Sequence, residues 1–155
     1  MRTSIIVGIV LMAALSCGGC GGKQAEQAAT PEAQPPASAP AAGFVVPAGL
    51  DQGPRAGESP VVEPLAAQGE KLFQARGCVA CHGFGKKVLG PDLKGVAMQR
   101  TAQWMETQIL HPIEMVQQDP ISRQLMAEFK TQMTNQGLTP DEARAVVEYI
   151  KKAGK

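Results

Sequence analysis

Cys78, Val79, Ala80, Cys81 and His82 make a Cys-x-x-Cys-His run, the pattern in which two thiols add across the vinyl groups of a haem and the next histidine reaches its iron. Two intervening residues put both sulfurs on one helical turn, and the following residue projects under the metal. The run therefore implies one covalently held iron porphyrin at the centre of a small domain. Composition agrees: only 4% of the 155 residues are aromatic, so the usual aromatic core is missing and a large flat apolar body suits the gap. A domain this small also tends to need a staple such as a metal or cofactor.

Other uses of paired cysteines fit less well. A disulfide-exchange dithiol opens a helix beside a β-α-β unit, and no stretch here alternates as strands do. A zinc site wants a further Cys or His pair, and only His111 is left over. Cys17 and Cys20 repeat the two-cysteine spacing, but Gly21 stands where the histidine should be. One haem is expected.

The formal net charge is +1, which offers nothing to nucleic acid, and no basic run is interleaved with aromatics. From Leu65 to Lys155 there are 12 Lys and Arg against 9 Asp and Glu. The presumed domain is modestly basic, and two haem propionates would nearly cancel that.

The N-terminus reads as an export signal: Arg2, then an apolar stretch from Ile5 to Leu15, then small residues. A bilayer core asks for about 20 apolar residues, so cleavage is the better reading than a retained span. Ala13 to Cys17 resembles a bacterial lipoprotein signal, in which Cys17 becomes the lipidated first residue. The division is a signal peptide over 1–16, a Pro/Ala/Gly-rich disordered tether over 17–63, and the folded domain over 64–155. The protein is placed at the periplasmic side, membrane-anchored by lipid, with a soluble periplasmic form as the alternative.

Helical periodicity organises the rest. Leu65, Gly69, Leu72 and Phe73 share a face, and Gly77 stops that helix. Thr101 caps a second helix carrying Trp104, Met105, Gln108 and Ile109, which ends before Pro112. A third covers Ser122 to Phe129. In the last, Thr139 caps, Pro140 takes the first position, Glu142 completes a capping box, and Ala143, Val146, Val147 and Ile150 form the buried stripe. The fold class is all-α.

From Leu65 onward the chain resembles the class I cytochrome c family of short bacterial mono-haem domains. The likeness rests on Gly69 and Phe73, the haem motif, Gly90 and Pro91, Trp104, Met133, and a final helix ending in Tyr149 and Ile150. It implies a small cytochrome c fold around haem c, with thioethers at Cys78 and Cys81 and axial iron ligands His82 and Met133. Met133 lies in a loop, Met133 to Leu138, like the family's distal-ligand loop, although Thr134 stands where proline often follows. Pro91 is expected to accept a hydrogen bond from His82 through its carbonyl. Arg100 and Trp104 sit where propionate contacts are often supplied. Gly69, Phe73 and Tyr149 match the crossing of first and last helices. Met126 is the alternative distal sulfur, His111 would give bis-histidine ligation, and Met98, Met105 and Met115 read as packing.

A closed six-coordinate iron leaves no substrate position, so no enzyme is expected. The function implied is one-electron transport between redox partner proteins in an exported respiratory chain, with Lys86 and Lys87 offering a positive docking surface. The competing reading is a haem-based small-ligand sensor whose distal methionine is labile.

Overall fold

The computed structural model describes residues 43–155. Within them are five α-helices: α1 (Glu63–Ala75), α2 (Ala102–Leu110), α3 (Pro112–Gln118), α4 (Pro120–Phe129) and α5 (Pro140–Ala153). Single 3-10 turns occupy Ala56–Glu58, Cys78–Ala80 and Val96–Met98. No strand occurs among the described residues, only an isolated bridge between His82 and Lys87. The all-α expectation holds.

The main crossing is α1 on α5. α1 buries Ala66, Gly69 and Phe73, a stripe at spacings of three and four in which Ala66 takes the inner place and Leu65 is only half-buried. A Cβ on Gly69 would run into the carbonyl of Ala145 and come within 2.9 Å of the Val146 nitrogen, so only glycine allows this approach. Glycine inside a helix costs about 1 kcal/mol relative to alanine, and the packing it permits offsets that: Ala143, Ala145, Val146 and Val147 are all at most 2% exposed. One turn further on, Phe73, Phe84 and Tyr149 interlock. Phe73 meets Tyr149 at 5.3 Å between ring centroids, and Phe84 meets Tyr149 edge-on at 5.6 Å, both favourable geometries for ring quadrupoles.

α5 begins as its sequence dictates. Glu142 donates its backbone N–H to the Thr139 hydroxyl, and the Thr139 N–H is accepted by the Glu142 carboxylate at 2.8 Å. Lys151 near the other end is 4% exposed. Its ammonium is fully used, donating to Ser59 Oγ, the Pro60 carbonyl and Glu148 Oε1 at 2.8 to 3.0 Å.

α2 starts on Thr101, whose hydroxyl accepts the Trp104 N–H at 3.0 Å, and stops at Pro112 as expected. The helix that follows at once, α3, is not among the expected elements: proline ends a helix behind it and opens one ahead, because its missing N–H is no loss in a first turn. The same device starts α4 two residues earlier than read from the sequence, at Pro120, with the Asp119 carboxylate accepting the Ser122 N–H at 2.8 Å. Of the methionines read as packing, Met105 and Met115 are buried, but Met98 is 59% exposed, on a 3-10 turn too short to turn it inward.

The expected tether, signal peptide, Cys17 and Cys20 lie wholly or largely outside the described residues. Residues 43–63, assigned to the tether from composition, pack on the helices instead. Leu50 and Ala56 are buried. Asp51 accepts from the Thr101 N–H at 2.9 Å and pairs with both Arg55 and Arg100. Two well-placed apolar side chains and one multiply bonded carboxylate suffice to hold a segment otherwise poor in core-forming residues.

Two outcomes are expected. Gly69→Val costs on the order of 3 kcal/mol of stability by overpacking the crossing, measurable by thermal denaturation, while covalent haem attachment continues. The Thr139 backbone N–H, aided by Arg76, holds the Glu142 carboxyl below the usual carboxylate range. Its stabilisation is therefore complete above the unfolded pKa of about 4.3 and is lost as pH falls through the lower folded value. Glu142→Gln should cost about 0.5 kcal/mol at neutral pH, and denaturation curves of variant and parent should converge in acid.

Candidate cofactor site

The site begins where α1 ends. Gly77 adopts a left-handed conformation at φ +74°, reversing the chain so that Cys78 to Ala80 wind a 3-10 turn. The Cys81 and His82 N–H groups both donate to the Cys78 carbonyl, at 3.1 and 2.9 Å, which fixes the two thiols and the imidazole on one turn. Both cysteines are half-buried, and burial pushes the Cys78 thiol up. Disulfide-exchange cysteines are tuned the other way.

The loop after the motif folds back on it. Gly90 donates its N–H to the Cys81 carbonyl at 2.8 Å, and Leu93 donates to Gly83 at 2.9 Å. This brings the Pro91 carbonyl to 3.1 Å from His82 Nδ1. A carbonyl can only accept, so Nδ1 is the nitrogen that donates here, and Nε2 is the one left to bind a metal. A Cβ on Gly90 would lie 2.8 Å from His82 Cε1; glycine lets the ring lie against the backbone.

Met133 comes from the segment between α4 and α5. Lys130 ends α4 in the left-handed region at φ 52°, turning the chain back toward α2. Asn135 donates to the Leu110 carbonyl at 2.8 Å and accepts the Gly137 N–H at the same distance, pinning the loop to the end of α2.

These pieces meet in one cavity of about 320 Å³. Cys78, Cys81, His82, Pro91, Arg100, Trp104 and Met133, the residues singled out from the sequence, all line it, together with apolar side chains including Phe73, Leu93, Met105, Ile109, Val146 and Ile150. Met126 lines it as well. His111 does not: its ring stacks flat on Phe44 at 3.6 Å between centroids. An apolar cavity with two thiols on one turn and a tautomer-fixed imidazole beside them fits a haem bound through thioethers.

Trp104 and Arg100 also have partners within the protein. The Trp104 indole N–H is donated to Asp119 Oδ2 at 3.3 Å, so the residue presents its ring to the cavity rather than a free donor for a propionate. Arg100 is held by Asp51 at 3.0 Å and lies over the Trp104 ring at 5.3 Å. Sequence reasoning missed Gln108, which lines the cavity and reaches Met133, and Asp119 and Ser122 behind it. A polar residue on the apolar face of α2 was the one available signal.

Fold and site together define a small all-α domain built around one covalently attached haem. The cytochrome c family model matches residues 66–154, and the chain belongs to the cytochrome c family, whose cofactor is haem c with its iron; Cys78 and Cys81 fit the attachment motif. Among curated relatives, cytochrome c-551 of Pseudomonas denitrificans is 51% identical over 35 residues, covering 23% of this chain and 43% of that protein. The Stutzerimonas stutzeri cytochrome c-551 is 52% identical over 33 residues, 21% of this chain and 32% of that one. The chain thus spans less than half the length of these curated relatives. Among solved structures, cytochrome c from Rhodothermus marinus superposes with a TM-score of 0.59 at 35% identity, over 61% of this chain and 81% of that one. An engineered form of it bound to a carbene intermediate gives 0.56 at 32% identity, over 62% and 82%.

Gly90→Ala should force the His82 ring off its seat. The expected outcome is a loss of about 2 kcal/mol in the stability of the mature protein, read by thermal denaturation.

Proposed function

We propose that this chain is a one-electron carrier, with haem attached through Cys78 and Cys81 and the iron held between His82 and Met133. The observation that carries the reading is the convergence of both thiols, the Nε2-free imidazole and the Met133 sulfur on one apolar cavity. Haem iron supplies a one-electron couple, and histidine with methionine raises its potential relative to two histidines. The chain's own residues do the rest. Pro91 orients His82, the Asn135 contacts hold the Met133 loop, and the apolar lining excludes water. His82 and Met133 together with the porphyrin nitrogens would leave the iron no open position, which suits transport rather than catalysis.

Donor and acceptor are then redox proteins that dock at the surface. Lys86 and Lys87 are exposed, but Lys87 is paired with Glu128 at 2.7 Å and lies over the Phe129 ring, so Lys86 is the freer charge for steering an acidic partner. The export signal over 1–16 and lipidation at Cys17 place the carrier at the periplasmic side, held to a membrane by its lipid. No helix among the described residues is long and apolar enough to cross a membrane.

A second reading, a haem-based small-ligand sensor, draws support from Thr134 in the place of proline and from Met126, which lines the same cavity. Visible spectra of the mature protein separate the two. The carrier reading expects reduced c-type bands and a ferric far-red sulfur-to-iron band that Met133→Ala abolishes and Met126→Ala leaves. Haem bands without the far-red feature favour the sensor, and a protein that takes up no haem overturns both.

A further inference from the structure

Gln108 stands on α2 one turn after Trp104. Its Nε2 is 3.8 Å from the Met133 sulfur, within reach of an N–H to sulfur contact, and its Oε1 is 2.6 Å from the Ser122 hydroxyl. Ser122 is 2% exposed and Asp119 8%. The hydroxyl is also 2.9 Å from Asp119 Oδ2, and the same carboxylate oxygen accepts the Ser122 N–H at 2.8 Å and the Trp104 indole N–H at 3.3 Å. Four side chains from α2 and the start of α4 thus form a continuous polar line through an apolar region, ending on one sulfur.

What matters is which end of the Gln108 amide faces that sulfur. A primary amide donates from one end and accepts at the other, and the sulfur carries lone pairs. Ser122 has one hydroxyl proton to give. Its contact to Gln108 Oε1, at 2.6 Å, is the shorter of its two, and Gln108 Nε2 is the amide atom that faces the sulfur, so the hydroxyl proton is assigned to the Gln108 carbonyl. That commits Oε1 to Ser122 and turns the NH₂ toward Met133. The reverse orientation would set a carbonyl oxygen against the sulfur lone pairs.

We propose that Gln108 is a positioning residue for Met133, fixed as a donor by Ser122 and the buried Asp119 carboxylate, and that it raises the site's affinity for an electron. This rests on the reading that Met133 ligates the iron. Donation to the sulfur withdraws electron density from it, so it stabilises the oxidised metal less, as hydrogen bonds behind a ligand commonly do. The same contact restrains a loop that lacks proline after its methionine.

The test uses the mature holoprotein with Gln108→Leu, Ser122→Ala and Met133→Ala, reading the reduction potential, the far-red band and the rate at which imidazole displaces the sulfur. Gln108→Leu is expected to weaken electron affinity about tenfold, a fall of 59 mV for a one-electron couple, and to speed displacement. Ser122→Ala should move both in the same direction by a smaller factor with Gln108 in place, a result that loss of packing does not give. If Gln108→Leu fails to mature, Ser122→Ala decides. Unchanged potential and displacement rate in Ser122→Ala, or in both variants, with the band retained, overturn the proposal alone. A parent without the band, or Met133→Ala that keeps it, overturns the ligand reading and the proposal with it.

Discussion

The contact between Gly69 and the backbone of Ala145 sets the distance at which α1 and α5 cross, and most of the site is measured from that point. With the helices this close, Phe73 reaches Tyr149 and Phe84, the chain turns at Gly77 just beyond α1, and Cys78, Cys81 and His82 are delivered to the cavity wall while Val146 and Ile150 of α5 line it from their own helix. A chain with so few aromatics has little else to centre itself on. Close backbone packing at one end and a bound porphyrin at the other divide between them the task that a conventional core performs alone.

Much of this was legible because the informative residues are local. The haem motif occupies five consecutive positions, the α5 capping box four, and the α2 cap is a single threonine one turn before a tryptophan. Each carries its geometry within a turn or two of chain, which is the range over which sequence pattern dictates structure. Proline was read with half its meaning: as a terminator at 112, when it also opened α3, and as nothing at 120, when Asp119 before it was already a capping residue.

What stayed hidden is tertiary. Asp51 pairs locally with Arg55, but the bonds that matter run to residues 49 and 50 positions away, and a low-complexity surrounding disguised Leu50 as linker. The polar line from Asp119 through Ser122 and Gln108 to Met133 draws on α2, α4 and the loop before α5. None of its members is unusual where it stands; the pattern exists only once the helices are packed. Trp104 shows the same limit, since a lone tryptophan looks like a free donor until its buried carboxylate partner is seen.

The N-terminal strap has a mechanical consequence. Gln118 grips the chain at Phe44 and Val46, through their carbonyl and N–H at 3.0 and 2.9 Å. Asp51 grips again at the head of α2, and Lys151 ties Ser59 and Pro60 to α5. A pull entering through the N-terminal side meets these three fastenings in series before it can reach α1 or the Cys78 turn. The strap works as a strain relief, like the sleeve where a cable enters a plug, and the Cys78 turn is shielded from tension that enters along that side.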